Sequence, residues 1–451
     1  MLILKKDINP NYLMSIVRID NISPIENSDN LVKTTINGYD IICSKDIKKG
    51  DIMVYFPCEC CINPKYLSAN NLYDYSNYQL NSNKDLVNES NRRELCGFFN
   101  KNGRVRIIKL HGEYSQGFIA PVQTLINTWP ELKDTYWDSL VGTHASHFND
   151  EWICKKYVCN PINQPIKNFN KAQKNIKKYP EILGDFKFHY DTKQLGEYIH
   201  EISPEDHITI SIKVHGASVI LSNILCQKPL GFFGKIFKSL GFKKIGQKYM
   251  SIYSSRKVIK NFNNSSYYKT DIWGCVNRDF SKYIEHDMTI YGEIIGYEEG
   301  TDTYIQKDYD YGCKKGTWKF MPYRIVKNCS TKPTEFDLND VWKWSCEVNN
   351  LEGHNKILPI KVLYRGPAKD LYKIPIDDHW RERFIECLKN DPAFGLEYEE
   401  PMCINKVPRK GIVIRIERDK KPEAWKLKAK AFCAREAKQH DNNEVDIEEI
   451  N

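Results

Sequence analysis

The sequence predicts an α+β chain, with a small amino-terminal β-barrel ahead of a second strand-rich domain. Three observations lead there. Residues 14–19, 31–36, 39–43 and 51–56 are short runs of alternating apolar and polar side chains, with turn signals at Asn37-Gly38 and Lys49-Gly50-Asp51. Two more such runs, residues 207–212 and 219–221, flank Lys213-Val214-His215-Gly216-Ala217-Ser218. A length of 451 residues, 41% of them hydrophobic, exceeds one typical domain and suffices for more than one core.

Bulk properties narrow the class. A formal net charge of +8 is compatible with a polyanionic partner without requiring one. The fifteen cysteines are scattered and odd in number, and Met1-Leu2-Ile3-Leu4 runs straight into Lys5-Lys6-Asp7 with no secretory signal. Free thiols in a reducing compartment are the expectation. Cys58-Glu59-Cys60-Cys61 and the pair Cys154/Cys159 lack CxxC spacing and a complementary His pair, which argues against structural zinc. No apolar run approaches the roughly 20 residues that cross a bilayer. A soluble, intracellular protein with no membrane partner is expected.

Along the chain, residues 105–110 read as a strand, with Arg104, Arg106 and Lys109 as basic groups available to nucleic acid. Residues 62–100, rich in Asn, Ser and Tyr, read as an irregular excursion within the first domain. Residues 126–205 show little periodicity before Phe186 and include Pro161, Pro165 and several lysines, which marks a connection. Residues 191–202 read as a helix entering the strand before Lys213. The expected divisions are therefore 1–125, 126–205 and 206–451. Residues 228–244 carry lysines, no acids, and aromatics near helical spacing, and read as an insertion packed on the last domain. The tail beyond Phe432 turns acidic.

A lysine before a turn is commonplace, so Lys213-Val214-His215-Gly216 alone says little. It is followed in order by Ser255-Arg256, Tyr291-Gly292-Glu293-Ile294-Ile295-Gly296 and Phe320-Met321-Pro322-Tyr323-Arg324-Ile325. Lys410-Gly411-Ile412-Val413-Ile414-Arg415 and Trp425-Lys426-Leu427-Lys428 complete the series. This order resembles motifs I, Ia, III, IIIa, IV and V of the covalent nucleotidyltransferases, nearest to ATP-dependent RNA ligases of the RNA ligase 2-like type. The element Leu110-His111-Gly112-Glu113-Tyr114-Ser115-Gln116-Gly117 is similar to one in the OB-type domain of a branch of those ligases. The resemblance implies an OB-like nucleic-acid-binding barrel before a nucleotidyltransferase (ATP-grasp-like ligase) domain of antiparallel sheets with flanking helices. It implies an enzyme that joins RNA 3′-OH and 5′-phosphate ends, free or as a nicked duplex, in RNA repair. ATP and Mg²⁺ or Mn²⁺ are the implied cofactors, and a monomeric cytoplasmic protein of cellular, viral or phage origin the implied setting.

Carried over residue by residue, the resemblance makes Lys213 the nucleophile that forms a lysyl-AMP, beside Gly216, with His215 near the triphosphate or metal. Glu293 becomes the ribose- and metal-side carboxylate, Tyr323 the aromatic stacked on adenine, and Arg256 a phosphate or 3′-end contact. Lys426 and Lys428 alternate on one strand and so share a face, where two ammonium groups repel unless an anion sits between them. The implied anion is the α-phosphate. Two positions depart from the pattern: Ile212 and Lys410 stand where relatives carry Glu. The competing readings are a catalytically silent RNA-end-binding relative and a DNA ligase or capping-type nucleotidyltransferase. The last two favour Asp at position 215 and a carboxyl-terminal OB domain.

Overall fold

The structure, a computed structural model, describes residues 1–5, 8–158, 180–189, 191–229, 246–261, 268–328, 333–418 and 422–442. The insertion expected around 228–244, Cys159, the lysines at 167–178 and the last acidic residues lie essentially outside that set.

The molecule is α+β and dominated by antiparallel sheets. A six-stranded sheet contains Ala217–Gln227, Met288–Gly296 and Trp318–Asn328 at its centre, with Gln247–Ser254 against the first of these. Met288–Gly296 is buried along its whole length, with Ile290, Tyr291, Ile294 and Ile295 supplying most of its apolar surface. Helices Ile272–Phe280 and Leu338–Glu352 cover one face through Trp273, Val276, Phe280, Val341 and Val348. Their starts are set by Asp271 and Asp337, whose carboxylates accept from the amides of Gly274 and Asp340. Pro322 has no amide hydrogen to give a ladder, and the register shifts beside it, between Tyr291 and Gly292.

A five-stranded sheet runs Lys193–Gln194, Glu423–Lys428, Gly411–Ile416, His207–Lys213, Val362–Pro367. Its inner face carries Ile208, Ile210, Ile412, Ile414 and Trp425, packed beneath helix Trp380–Asn390 through Trp380, Phe384, Ile385 and Leu388. The chain leaves this sheet at Lys213 and enters the six-stranded one at Ala217. Lys213 thus sits where two sheets meet.

The amino-terminal strands differ from expectation. Gly117–Pro121, Ile52–Pro57, Met14–Arg18 and His144–Ala145 form one four-stranded sheet, and Ser23–Pro24, Leu31–Ile36 and Tyr39–Ser44 a separate three-stranded one. Among the described residues no ladder closes these into a barrel, so an OB-like barrel is not what this pairing shows. The Asn37-Gly38 turn forms as read, with φ of 50° and 74° that suit Asn and Gly. The core of this part extends past residue 125: Leu125, Trp129, Leu132, Phe148, Ile153 and Cys154 pack with Met14, Ile16, Val54 and Phe56.

Two local expectations are corrected. Residues 191–202 form a short strand, turns and the 3₁₀ turn Ile199–Glu201 instead of a helix, because Lys193–Gln194 pairs in parallel with Trp425 and Lys426. Arg104 does not face solvent for nucleic acid. Only 1% of its side chain is exposed, and it pairs with Glu59 at 2.6 Å and Asp441 at 3.2 Å. Of the expected 105–110 strand only Ile108–Leu110 pairs.

Candidate active site

Strand alternation decides which side chains reach the cleft between the two sheets. On His207–Lys213, Ile208 and Ile210 turn into the core, so Ser211 and Lys213 on the alternate positions turn toward the cleft. On Glu423–Lys428, Trp425 and Leu427 enter the core while Lys426 and Lys428 face the cleft, as their spacing predicts. Gly216 is required by close approach: a Cβ there would lie 2.5 Å from the carbonyl oxygen of Ile294. Gln306 holds the same turn, donating to the Gly216 carbonyl at 3.0 Å.

The cleft has two adjoining chambers. One is polar, and Lys213, Arg256, Lys410, Lys156 and the strand neighbours Lys426 and Lys428 reach it, with Glu293, Asp191, Glu436 and Glu59 among them. The other is more apolar, bounded by Ile212, Val214, Tyr323, Leu338, Ile360 and Val413. Lys213, Glu293, His189 and Thr192 border both. The cleft therefore brings Lys213, Glu293, Tyr323, Arg256, Lys426 and Lys428 together across more than 200 residues of sequence.

Electrostatics differ from lysine to lysine. Lys426 is 6% exposed, and burial is the main reason its pKa falls to about 8, with Lys428, Arg256 and Lys156 acting the same way against the pull of Asp191. Asp191 lies 3.8 Å from Lys426 and is ion-paired with Arg256. Burial disfavours its charge, yet those two cations hold it well below the usual carboxylate range. Lys428 meets Glu436 at 2.7 Å. Burial works against both charges, but the pairing raises the lysine well above its ordinary value and holds Glu436 down to about 2. Burial, then Arg256 and Lys213, push His189 down to about 3, so its ring is neutral near pH 7. That ring meets Tyr323 edge-on, with centroids 5.6 Å apart.

His215 is half-buried. Its amide donates to the Tyr311 hydroxyl at 2.6 Å, and its ring sits edge-on to Tyr309 and Phe432, each 5.0 Å away. Its Nδ1 is 3.2 Å from Nζ of Lys410, which is 4% exposed and lies over the Phe432 ring at 5.6 Å. This histidine orients a lysine and is not itself among the residues bordering either chamber. The departure at position 410 is thus a buried cation beside the polar chamber.

The motif reading missed His189, Asp191 and Lys156 as members of the cleft. Asp191 and His189 lie in a stretch read as a connection, and only the parallel pairing of Lys193–Gln194 carries them to Lys426. Glu436 falls in the stretch beyond Phe432 that reads as turning acidic, and the fold makes it the partner of Lys428. Among the described residues no group of three or more His, Cys, Asp or Glu side chains is placed to hold a metal ion, and no helix is long and apolar enough to cross a membrane.

No family model matches the chain, and no curated protein matches it. Solved structures do. An alanine mutant of Naegleria gruberi RNA ligase with ATP and Mn is similar at 15% identity and a TM-score of 0.54, over 94% of this chain and 98% of that one. A second mutant of that ligase, with AMP and Mn, matches at 15% identity and 0.53 over the same shares. The same ligase with PPi matches at 16% identity and 0.51, again over 94% and 98%. Coverage is nearly complete on both sides while identity is low, and what the chain shares with these RNA ligase structures is their fold.

Proposed function

We propose that this chain is an ATP-dependent RNA ligase of the RNA ligase 2-like type, in the branch with an added amino-terminal domain. The observation that carries the reading is the position of Lys213 at the junction of a cationic chamber and an apolar one containing Tyr323. A triphosphate fits the first and a nucleobase the second, which leaves the α-phosphate at Lys213.

In this reading the Lys213 amine attacks the α-phosphorus, a P–N bond forms, and pyrophosphate leaves with the electrons of the broken P–O bond. The attacking amine must be neutral, whereas free lysine titrates near 10.4, so the step requires the ammonium to give up a proton before attack. Lys426, Lys428, Lys410 and Arg256 neutralise the charge that builds on the phosphates, the main protein contribution to phosphoryl transfer. Tyr323 stacks on the base. The 5′-phosphate of RNA then takes the adenylyl group from Lys213, and the 3′-OH displaces AMP to close the phosphodiester.

Mg²⁺ or Mn²⁺ bound to ATP would further neutralise and orient its phosphates. The residues fit an ion that arrives on the nucleotide: Mg²⁺ commonly takes one or two carboxylates beside substrate phosphates and water, and Glu293 borders both chambers. Asp191, Glu436 and Glu59 are each tied to a cation. RNA with 3′-OH and 5′-phosphate ends is the proposed substrate, and the amino-terminal part its second grip.

The test is incubation with α-labelled ATP and a divalent ion, followed by denaturation. Label should stay on the wild-type protein and be lost in Lys213→Ala, which should still seal a pre-adenylylated RNA end. Label retained by Lys213→Ala refutes the nucleophile. Its absence from wild type with both Mg²⁺ and Mn²⁺ favours the silent RNA-binding relative.

A further inference from the structure

The apolar chamber has a charged far wall that the ligase reading leaves unused. Lys213 pairs with Gly411 across the sheet, and Arg415 lies four residues further along that strand, opposite Thr209. At about 3.3 Å per residue, that places Arg415 about 13 Å from the Lys213 row, roughly a nucleoside's reach. Beside it stands Glu335, whose side chain is 9% exposed, 2.8 Å from Arg324 and 3.8 Å from Arg415. All three line the chamber that contains Tyr323.

We propose that Glu335 selects adenine, accepting a hydrogen bond from the exocyclic amine of the base stacked on Tyr323. The inference rests on reading this chamber as the nucleoside site. The arginines are engaged elsewhere. Arg415 donates to the Phe336 carbonyl at 2.6 Å and to Glu417 at 3.0 Å, and Arg324 lies over the Tyr291 ring at 4.7 Å while pairing with Glu335. Their role is to hold the Glu335 carboxylate in place beside the base. Leu338, Ile360 and Val413 supply no side-chain acceptor, and the chamber's two carboxylates are Glu293, which also borders the polar chamber, and Glu335 beside Arg415. At position 6 adenine offers N–H to a carboxylate, whereas hypoxanthine and guanine present a carbonyl oxygen there. Two acceptors facing each other in a dry pocket are costly, which is how a site built to bond an N–H rejects the analogue lacking it.

The experiment uses the full chain and compares kcat/KM for lysyl-nucleotide formation with α-labelled ATP and α-labelled ITP. Wild type should favour ATP strongly. In Glu335→Gln the amide can turn its NH₂ toward a carbonyl, so the ATP/ITP ratio should fall by at least about tenfold, mostly through a lower KM for ITP. An unchanged ratio in a variant that still labels with ATP overturns the inference and leaves the ligase reading standing. If the variant melts far below wild type, the wild-type comparison decides: equal use of ITP and ATP overturns the proposal. Absence of label from either nucleotide removes the ligase reading, and this inference with it.

Discussion

Lys426 shows how much a single buried side chain can control. Its pKa near 8 reflects burial first, so the ligand-free pocket carries this charge below pH 8 and loses it above. Triphosphate binding should weaken accordingly: KM for ATP is expected to rise as pH passes 8. In Lys426→Arg, whose guanidinium stays charged, that rise should flatten. A pH–KM profile in both proteins checks this. The stability effect has the opposite direction. An unfolded lysine keeps its proton to about 10.4, so between about 8 and that value the unfolded chain binds more protons and the unfolding free energy rises with pH. Lys410 makes a second residue-scale case, since it stands beside His215 and, after Lys428, helps to hold Glu436 down. Lys410→Glu adds a carboxylate beside the chamber of Glu293, and should lower the Mg²⁺ concentration for half-maximal adenylylation, read by titrating Mg²⁺ against label.

Among the elements, helix Lys430–Asp441 binds the two parts of the molecule together. Lys430 meets Asp40 at 2.6 Å, Arg104 meets Asp441 at 3.2 Å, and His440 lies 3.1 Å from Glu59. From the same helix, Glu436 fixes Lys428 and Phe432 backs His215, so its seating decides the cleft's geometry. Arg104→Ala leaves Glu59 deprived of a buried partner and should cost about 3–5 kcal/mol, seen as a lowered melting temperature. Burial opposes a charge on His440, but Glu59 outweighs it and raises the pKa. With the folded value above the unfolded one, that pairing stabilises fully below pH 6.5 and fades as pH rises through the folded value. A melting curve against pH in His440→Gln should lose this component.

On the scale of the whole molecule, Tyr12 and Glu59 from the amino-terminal part line the polar chamber with Lys428 and Glu436. Removing residues 1–158 should therefore raise KM for ATP as well as weaken sealing, measured by adduct formation and by ligation of a nicked RNA. Cutting at 125 instead splits the core that joins Leu125 and Phe148 to Met14. Aggregation or unfolding is the expected outcome of that shorter deletion. Sealing by the intact protein should fall steeply with salt, because cationic contacts to RNA phosphates release counterions.

What the sequence determined alone follows from period and order. The strands around Lys213, the shared face of Lys426 and Lys428, the Asn37-Gly38 turn and the succession of motifs were legible because alternation and turn chemistry act between neighbours in the chain. The resemblance then pointed to Glu293, Tyr323 and Arg256, and the fold does bring all three to Lys213's cleft. Only the tertiary structure decided who partners whom. It brought Asp191 to Arg256 and Lys426 through a parallel strand too short to leave a periodic signal, turned Arg104 inward to Glu59, and placed Lys410 against His215. It also kept the amino-terminal strands in open sheets where alternation alone suggested closure. The physical reason is common to all of these. Alternation fixes which face a side chain occupies, but charge pairing and sheet closure depend on what another part of the chain, up to several hundred residues away, presents to that face.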